Sequence, residues 1–228
     1  MLAMQRGNRS LLLVAGGLTL LGLAAFTVGK PGRKSSELEA GEINIWREMS
    51  HWKELLIHVW PVVTLSLFLG LIDSFFWTTG TVWNDKLAAE NPWGGWFLSL
   101  YIMPSLFIGL IVAKWGVYKG KKKWAEWFFL LGGGVLALIG LSTEVWWQLL
   151  VVFVSSIFLS LSYPLLDAVY TDIVVRMGKE RKHLMGLSNS TVSLAYIVGP
   201  ILAGGLAQAF GEQRTFVLAG VGAVIVGV

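Results

Sequence analysis

Residues 92–113, PWGGWFLSLYIMPSLFIGLIVA, contain no charged side chain. About 20 apolar residues in a helix suffice to cross the hydrocarbon core of a bilayer. The pattern recurs, and it limits the chain to one broad class. Apolar segments fall at about residues 10–28, 57–82, 92–113, 124–141, 146–173, 186–210 and 215–228. The chain is 55% hydrophobic and only 14% charged, too apolar for a soluble domain of 228 residues. An all-α, polytopic membrane helix bundle of about seven transmembrane helices is therefore expected. With no cysteine, disulfides, thiolate metal sites and thiol catalysis are excluded. No metal or other cofactor is implied.

The basic residues alternate from loop to loop. Lys30, Arg33, Lys34, Arg47 and Lys53 lie between the first two segments, and only Lys86 between the next two. Lys114, Lys119, Lys121, Lys122 and Lys123 follow; then comes a loop with no base. Arg176, Lys179, Arg181 and Lys182 follow in turn, and finally Arg214 alone. Basic loops stay in the cytoplasm. The N-terminus is thus expected outside, with three basic loops inside the plasma (inner) membrane. The net charge of +4 is a topology signal and not a nucleic-acid one. Trp83, Trp93, Trp96, Trp146 and Trp147 fall at the expected outer ends, as an interfacial aromatic belt.

Three stretches bear on domain organisation. Residues 1–29 read as a membrane span; the rival reading, a cleaved signal peptide, would invert every later loop against the charge bias. Residues 30–56 read as a cytoplasmic loop. It carries an amphipathic helix, with Ile45, Met49, Trp52 and Leu56 opposite Arg47, Glu48, Lys53 and Glu54. Residues 57–228 read as a six-helix bundle. Its last segment, at 1.5 Å per residue, reaches only about 21 Å and looks cut inside a helix. NRSLLLVAGGLTLLGLAAF near the start is similar to QRTFVLAGVGAVIVGV at the end, as equivalent helices of a duplicated bundle would be.

Polar residues inside the spans are the functional clue, because lipid penalises them unless they face a cavity or a partner. Ser156, Ser160, Tyr163, Asp167 and Tyr170 recur every three or four residues, on one helical face. Ser66, Gly70, Asp73, Trp77 and Thr81 share another, and Asn189, Ser193 and Tyr196 a third. Three such faces suggest a common aqueous cleft. Asp73 stands out, since its span holds no Lys or Arg. It is expected either to bind a proton or to meet a cationic partner, the bland alternative being a structural hydrogen bond to a neighbouring helix. Trp77 could stack on a sugar or aromatic solute, or simply pack. Asp172 is expected to pair with Arg176 or a base of a loop.

AYIVGPILAGGLAQAF carries Gly199, Pro200, Gly204 and Gly205 in a helix that water would penalise but lipid tolerates. Gly186, eight residues, Ala195, three, Gly199-Pro200, three, then Gly204-Gly205 resembles the antiporter motif of the major facilitator superfamily. That motif has Gly for Ala195 and a last gap of two. Gly109, Lys114 and Gly116 similarly fit that family's loop motif Gly-x-x-x-Asp-Arg-x-Gly-Arg-Lys, with Ala113 in place of its Asp. The passage PLLDAVYTDIVVRMGKERKHLMGLSNS resembles one of its inter-helix passages.

The resemblance implies half of such a fold, two inverted three-helix repeats, preceded by a sixth helix and a central cytoplasmic loop. It implies a secondary transporter that moves a small solute by alternating access; coupling to protons is one of the two readings of Asp73 given above. The partners implied are the lipid bilayer, the solute and a further six-helix half or a second copy of the chain. In that reading Asp73, Trp77, Ser160, Tyr163, Asp167, Tyr170, Asn189 and Tyr196 line the pathway. Gly186, Gly199, Pro200, Gly204 and Gly205 would kink and pack a helix, and Gly109 would turn a loop tightly.

A seven-helix receptor, an intramembrane enzyme and a non-transporting remnant are the alternatives. No Lys lies mid-membrane to carry a retinal Schiff base, and neither a Gly-x-Gly-Asp context nor His-Glu zinc spacing accompanies the aspartates. An enzyme is not expected.

Overall fold

Six α-helices fill the computed structural model, which describes residues 45–115, 120–177 and 181–227. They are α1 Ile45–Glu90, α2 Phe97–Trp115, α3 Lys121–Ala137, α4 Val145–Met177, α5 Arg181–Phe210 and α6 Glu212–Gly227. Short 3₁₀ turns, Pro92–Trp96 and Leu138–Leu141, complete two of the connections. There is no strand among the described residues. Five stretches are long and apolar enough to cross a membrane: Val59–Glu90, Pro92–Val112, Lys121–Leu141, Val145–Val175 and Leu184–Phe210. The span expected at 10–28, its signal-peptide alternative, its likeness to the C-terminal segment, the loop at 30–44 and Gly116 lie outside the described residues.

The helices run further than their apolar cores suggest. The amphipathic stretch from Ile45 does not end before the first described span; both belong to α1, which at 1.5 Å per residue is about 69 Å long. The outer loop expected after residue 82 is also helical, up to Glu90. Lys86, Leu87, Ala88, Ala89 and Glu90 are strong helix formers, and the fully buried Leu87 anchors this turn. Asn91 then ends it: its side-chain oxygen accepts from the Trp93 N–H at 3.0 Å, and Pro92 cannot continue an α-helix. Gly109 is corrected similarly. It sits inside α2, exposed, with open space where a Cβ would be, and turns nothing. Lys114 is on the same helix.

The most extensive contacts join α1 to α5, α2 to α4, α3 to α4 and α3 to α6; α1 also meets α2 and α6, and α4 meets α5. Contacts also join α5 to α6 and α1 to α4.

Lipid tails are as apolar as leucine, so close packing, and not exclusion from water, must hold such helices together. Small residues make that possible at two crossings. A Cβ on Gly199 would meet the Ser74 side chain at 2.4 Å, and one on Gly70 would meet the Ala195 methyl at 2.8 Å, so α1 and α5 lie almost backbone to backbone. At the α3–α6 crossing a Cβ on Gly220 would meet backbone of Ala137 at 2.5 Å. Gly204 and Gly205 have open space instead, so they pack against nothing among the described residues. Gly186 and Pro200 lie within α5.

Polar ties close the two ends. At the end bearing Lys86, Trp83 donates its indole N–H to Gln148 at 2.6 Å, and the Gln213 amide donates to the carbonyls of Ile139 and Ser142. Lys86 and Glu212 pair at 2.5 Å, and this bond holds the Glu212 carboxyl below its usual range. At the opposite, basic end Lys121 donates to both carboxylate oxygens of Asp172, at 3.0 and 2.8 Å. Asp172 thus takes a base from the segment expected as a basic loop, here the first residue of α3. Trp93, Trp96 and Trp146 are exposed at the Lys86 end, and Trp60, Trp124 and Trp127 are exposed at the other.

Candidate functional site

Asp73 lies near the middle of the span Val59–Glu90. Its side chain is half-buried, and it is not isolated. One carboxylate oxygen accepts from the Tyr101 hydroxyl of α2 at 2.5 Å, and the other accepts from the Tyr196 hydroxyl of α5. One turn earlier on α1, the Leu69 carbonyl accepts from the Tyr163 hydroxyl of α4 at 3.1 Å. Three helices, α2, α4 and α5, therefore converge on one turn of α1 through three tyrosine hydroxyls.

Packing fixes each of these rings. Tyr101 is 8% exposed and stacks on Phe76, with centroids 3.7 Å apart and planes 11° from parallel. Phe76 in turn contacts Phe97 and Phe216, binding the starts of α2 and α6 to α1. Tyr196 is placed by the close α1–α5 crossing, since Ala195 is the residue that meets Gly70. A bulkier residue at either position would lift Tyr196 away from Asp73.

Beside this cluster opens a cleft of about 320 Å³ between α1, α2 and α4. Asp73, Trp77, Tyr101, Ser160, Tyr163 and Asp167 supply its chemistry, and Ile102, Ser105, Gly109 and Pro164 complete the wall. Trp77 is 51% exposed and Asp167 is exposed. Such a volume falls in the range of small-molecule sites. No group of three or more His, Cys, Asp and Glu able to hold a metal occurs among the described residues.

The structure thus brings together six of the eight residues expected along the pathway: Asp73, Trp77, Ser160, Tyr163 and Asp167 in the cleft, and Tyr196 on Asp73. Two depart. Tyr170 is buried, its hydroxyl without a hydrogen bond, and it does not line the cleft. Asn189 is exposed on α5, away from the cleft wall. The α4 stripe is polar on one face along its whole length, yet helix crossings cover its ends. Ser156 is buried, donating to the Leu100 carbonyl of α2 at 3.2 Å and to the Phe153 carbonyl of its own helix at 2.8 Å.

Sequence reasoning missed Tyr101 and Ser105. They lie four residues apart on α2, and that spacing was the available signal; the strongly apolar run around them masked it.

The described residues define an integral, multi-pass membrane protein: an all-helical bundle with a polar cleft opening among its spans. Residues 86–228 match the family model of the Major Facilitator Superfamily. That is more than half of the chain, and the chain belongs to this superfamily of solute transporters. No curated protein matches it.

Proposed function

We propose that the protein is a secondary active transporter that moves a small solute by alternating access, with Asp73 as the coupling group. The observation that carries this reading is the Asp73 clamp. A carboxylate near the middle of a span accepts from hydroxyls on two other helices, Tyr101 on α2 and Tyr196 on α5, and has no cation beside it among the described residues. Protonation neutralises the charge that holds both hydroxyls, so it loosens the ties from α1 to α2 and α5 together. Proton binding and helix rearrangement are linked through one side chain, as coupled transport needs.

The cleft is open on the side of α1, α2 and α4, and a second six-helix bundle facing it would complete an alternating-access pathway. That bundle is either another part of the polypeptide or a second copy of this chain. The basic end of α3 that carries Lys121, Lys122 and Lys123 lies in the cytoplasm in this reading, and the membrane is the plasma (inner) membrane.

The test is reconstitution into liposomes loaded with a pH-sensitive dye. Addition of a transported solute should move protons in the wild type, and Asp73→Asn should abolish that movement while leaving solute binding measurable. Proton movement undiminished in Asp73→Asn would remove Asp73 from the coupling role.

A further inference from the structure

Resting on the transporter reading above, we infer that the solute is an organic cation: a protonated or quaternary amine on a small apolar body, held between Asp73, Asp167 and the face of Trp77.

The first argument is charge. The cleft wall carries two carboxylates, Asp73 and Asp167, and no Lys, Arg or His. The ion pairs among the described residues, Lys86–Glu212, Lys121–Asp172 and Lys122–Glu126, involve neither of these carboxylates. Asp73 has its two tyrosine donors, but no ion pair reaches Asp167 among the described residues. Two acidic groups in a cleft of about 320 Å³ within apolar helices lack a counter-charge. Charges out of water need pairing. A cationic solute brings the missing partner. An anion would be repelled by both groups, and a neutral solute would strip water from two carboxylates without replacing it.

The second argument is shape and surface. Trp77 is 51% exposed and lines the cleft, four residues and one helical turn from Asp73. Tyr163 and Tyr101 add two further rings to the wall, and Ile102 and Pro164 add apolar surface. Aromatic faces attract cations through the ring quadrupole, most strongly for tryptophan, and carboxylate with aromatic walls suits ammonium groups. A sugar would be expected to find a denser set of paired donors and acceptors than the single serine hydroxyls at 105 and 160 provide.

The consequence for coupling is competition. A proton on Asp73 and a cation beside it draw on the same negative charge, so each weakens the binding of the other. A carrier that releases one on taking the other exchanges cation for proton across the membrane.

The test uses the full chain in detergent micelles and tritiated benzyltrimethylammonium as the probe. Competitors are unlabelled probe, its uncharged isostere neopentylbenzene and the anion benzenesulfonate. Binding should saturate, yield only to the unlabelled cation, and weaken as pH falls. Asp167→Asn and Trp77→Leu should each weaken it at least tenfold, with Asp167→Glu and Trp77→Phe restoring most of the loss. Helical circular dichroism and a monodisperse elution profile confirm that each variant is folded. Absence of saturable binding by folded wild type, equal competition by the isostere, or indifference to Asp167→Asn would overturn the inference. Wild type that binds no cation but exchanges protons for a neutral sugar removes this inference and leaves the transporter reading intact. Saturable cation binding with no solute-driven proton movement does the reverse.

Discussion

The Tyr101 hydroxyl donates to the Asp73 carboxylate at 2.5 Å, joining α2 to α1 in the membrane interior, while Tyr196 holds the other oxygen from α5. Hydrogen bonds to a charged group contribute about 1.5–3 kcal/mol each. Because both bonds end on one carboxylate, their contributions should not be independent. A double-mutant cycle on thermal unfolding of Tyr101→Phe with Tyr196→Phe should give a coupling energy of about 0.5–3 kcal/mol. Strict additivity would mean that the two side chains do not act on each other.

Glycine positions on α5 separate into two kinds. Gly199→Ala places a methyl 2.4 Å from the Ser74 hydroxyl and 2.6 Å from its Cβ, and should destabilise the protein by about 1–3 kcal/mol through overpacking. Gly204→Ala meets open space and should be neutral, or stabilising by up to about 1 kcal/mol through helix propensity. Unfolding midpoints in micelles compare the two directly. Equal effects would contradict the close α1–α5 approach.

The Lys86–Glu212 pair gives a pH signature. Glu212 has its carboxyl lowered in the folded state by the Lys86 bond, so the stabilisation is present above the ordinary carboxylate range and is lost as pH falls through the folded value. Lys86 is half-exposed, and solvent screening limits the pair to about 1 kcal/mol or less. Lys86→Met should therefore unfold at a lower temperature than wild type at pH 7. The gap should narrow as pH falls below the ordinary carboxylate range. A gap undiminished through the acid titration would assign the effect to packing of the lysine stem.

Membrane sidedness is directly measurable because the chain has no cysteine. Lys123→Cys and Trp93→Cys both replace exposed residues, at opposite ends of the bundle. In right-side-out vesicles a membrane-impermeant maleimide should label position 93 and spare position 123, and inside-out vesicles should reverse this. Labelling of both from one side would break the loop assignment drawn from the lysines and arginines.

The centres of the described spans were legible because charge is segregated so sharply along the chain. Nothing polar enough to end a helix interrupts 92–113, for example. Helix ends were less legible. Asp85–Glu90 looks like a polar loop by hydropathy, but its residues favour helix and Leu87 finds a buried socket. The prominence of Asp73 was likewise readable from its span, whereas its partners were not. Tyr101 is one hydroxyl in an apolar run, and only the stacking on Phe76 shows where it points. Ser156 and Tyr170 share a face with Ser160 and Tyr163, and which part of that face stays open depends on where α2 and α5 cross it. Periodicity reports the face of a helix, not the neighbours that will cover it.

At about 69 Å, α1 is more than twice as long as a hydrocarbon core is thick, and Pro61 falls between Ile45 and the turn that bears Asp73. An interior proline gives up a backbone hydrogen bond and bends a helix. Part of α1 must extend beyond the hydrocarbon, and any movement of that part, passed through the bend at Pro61, would reach the aspartate and the two tyrosines that grip it.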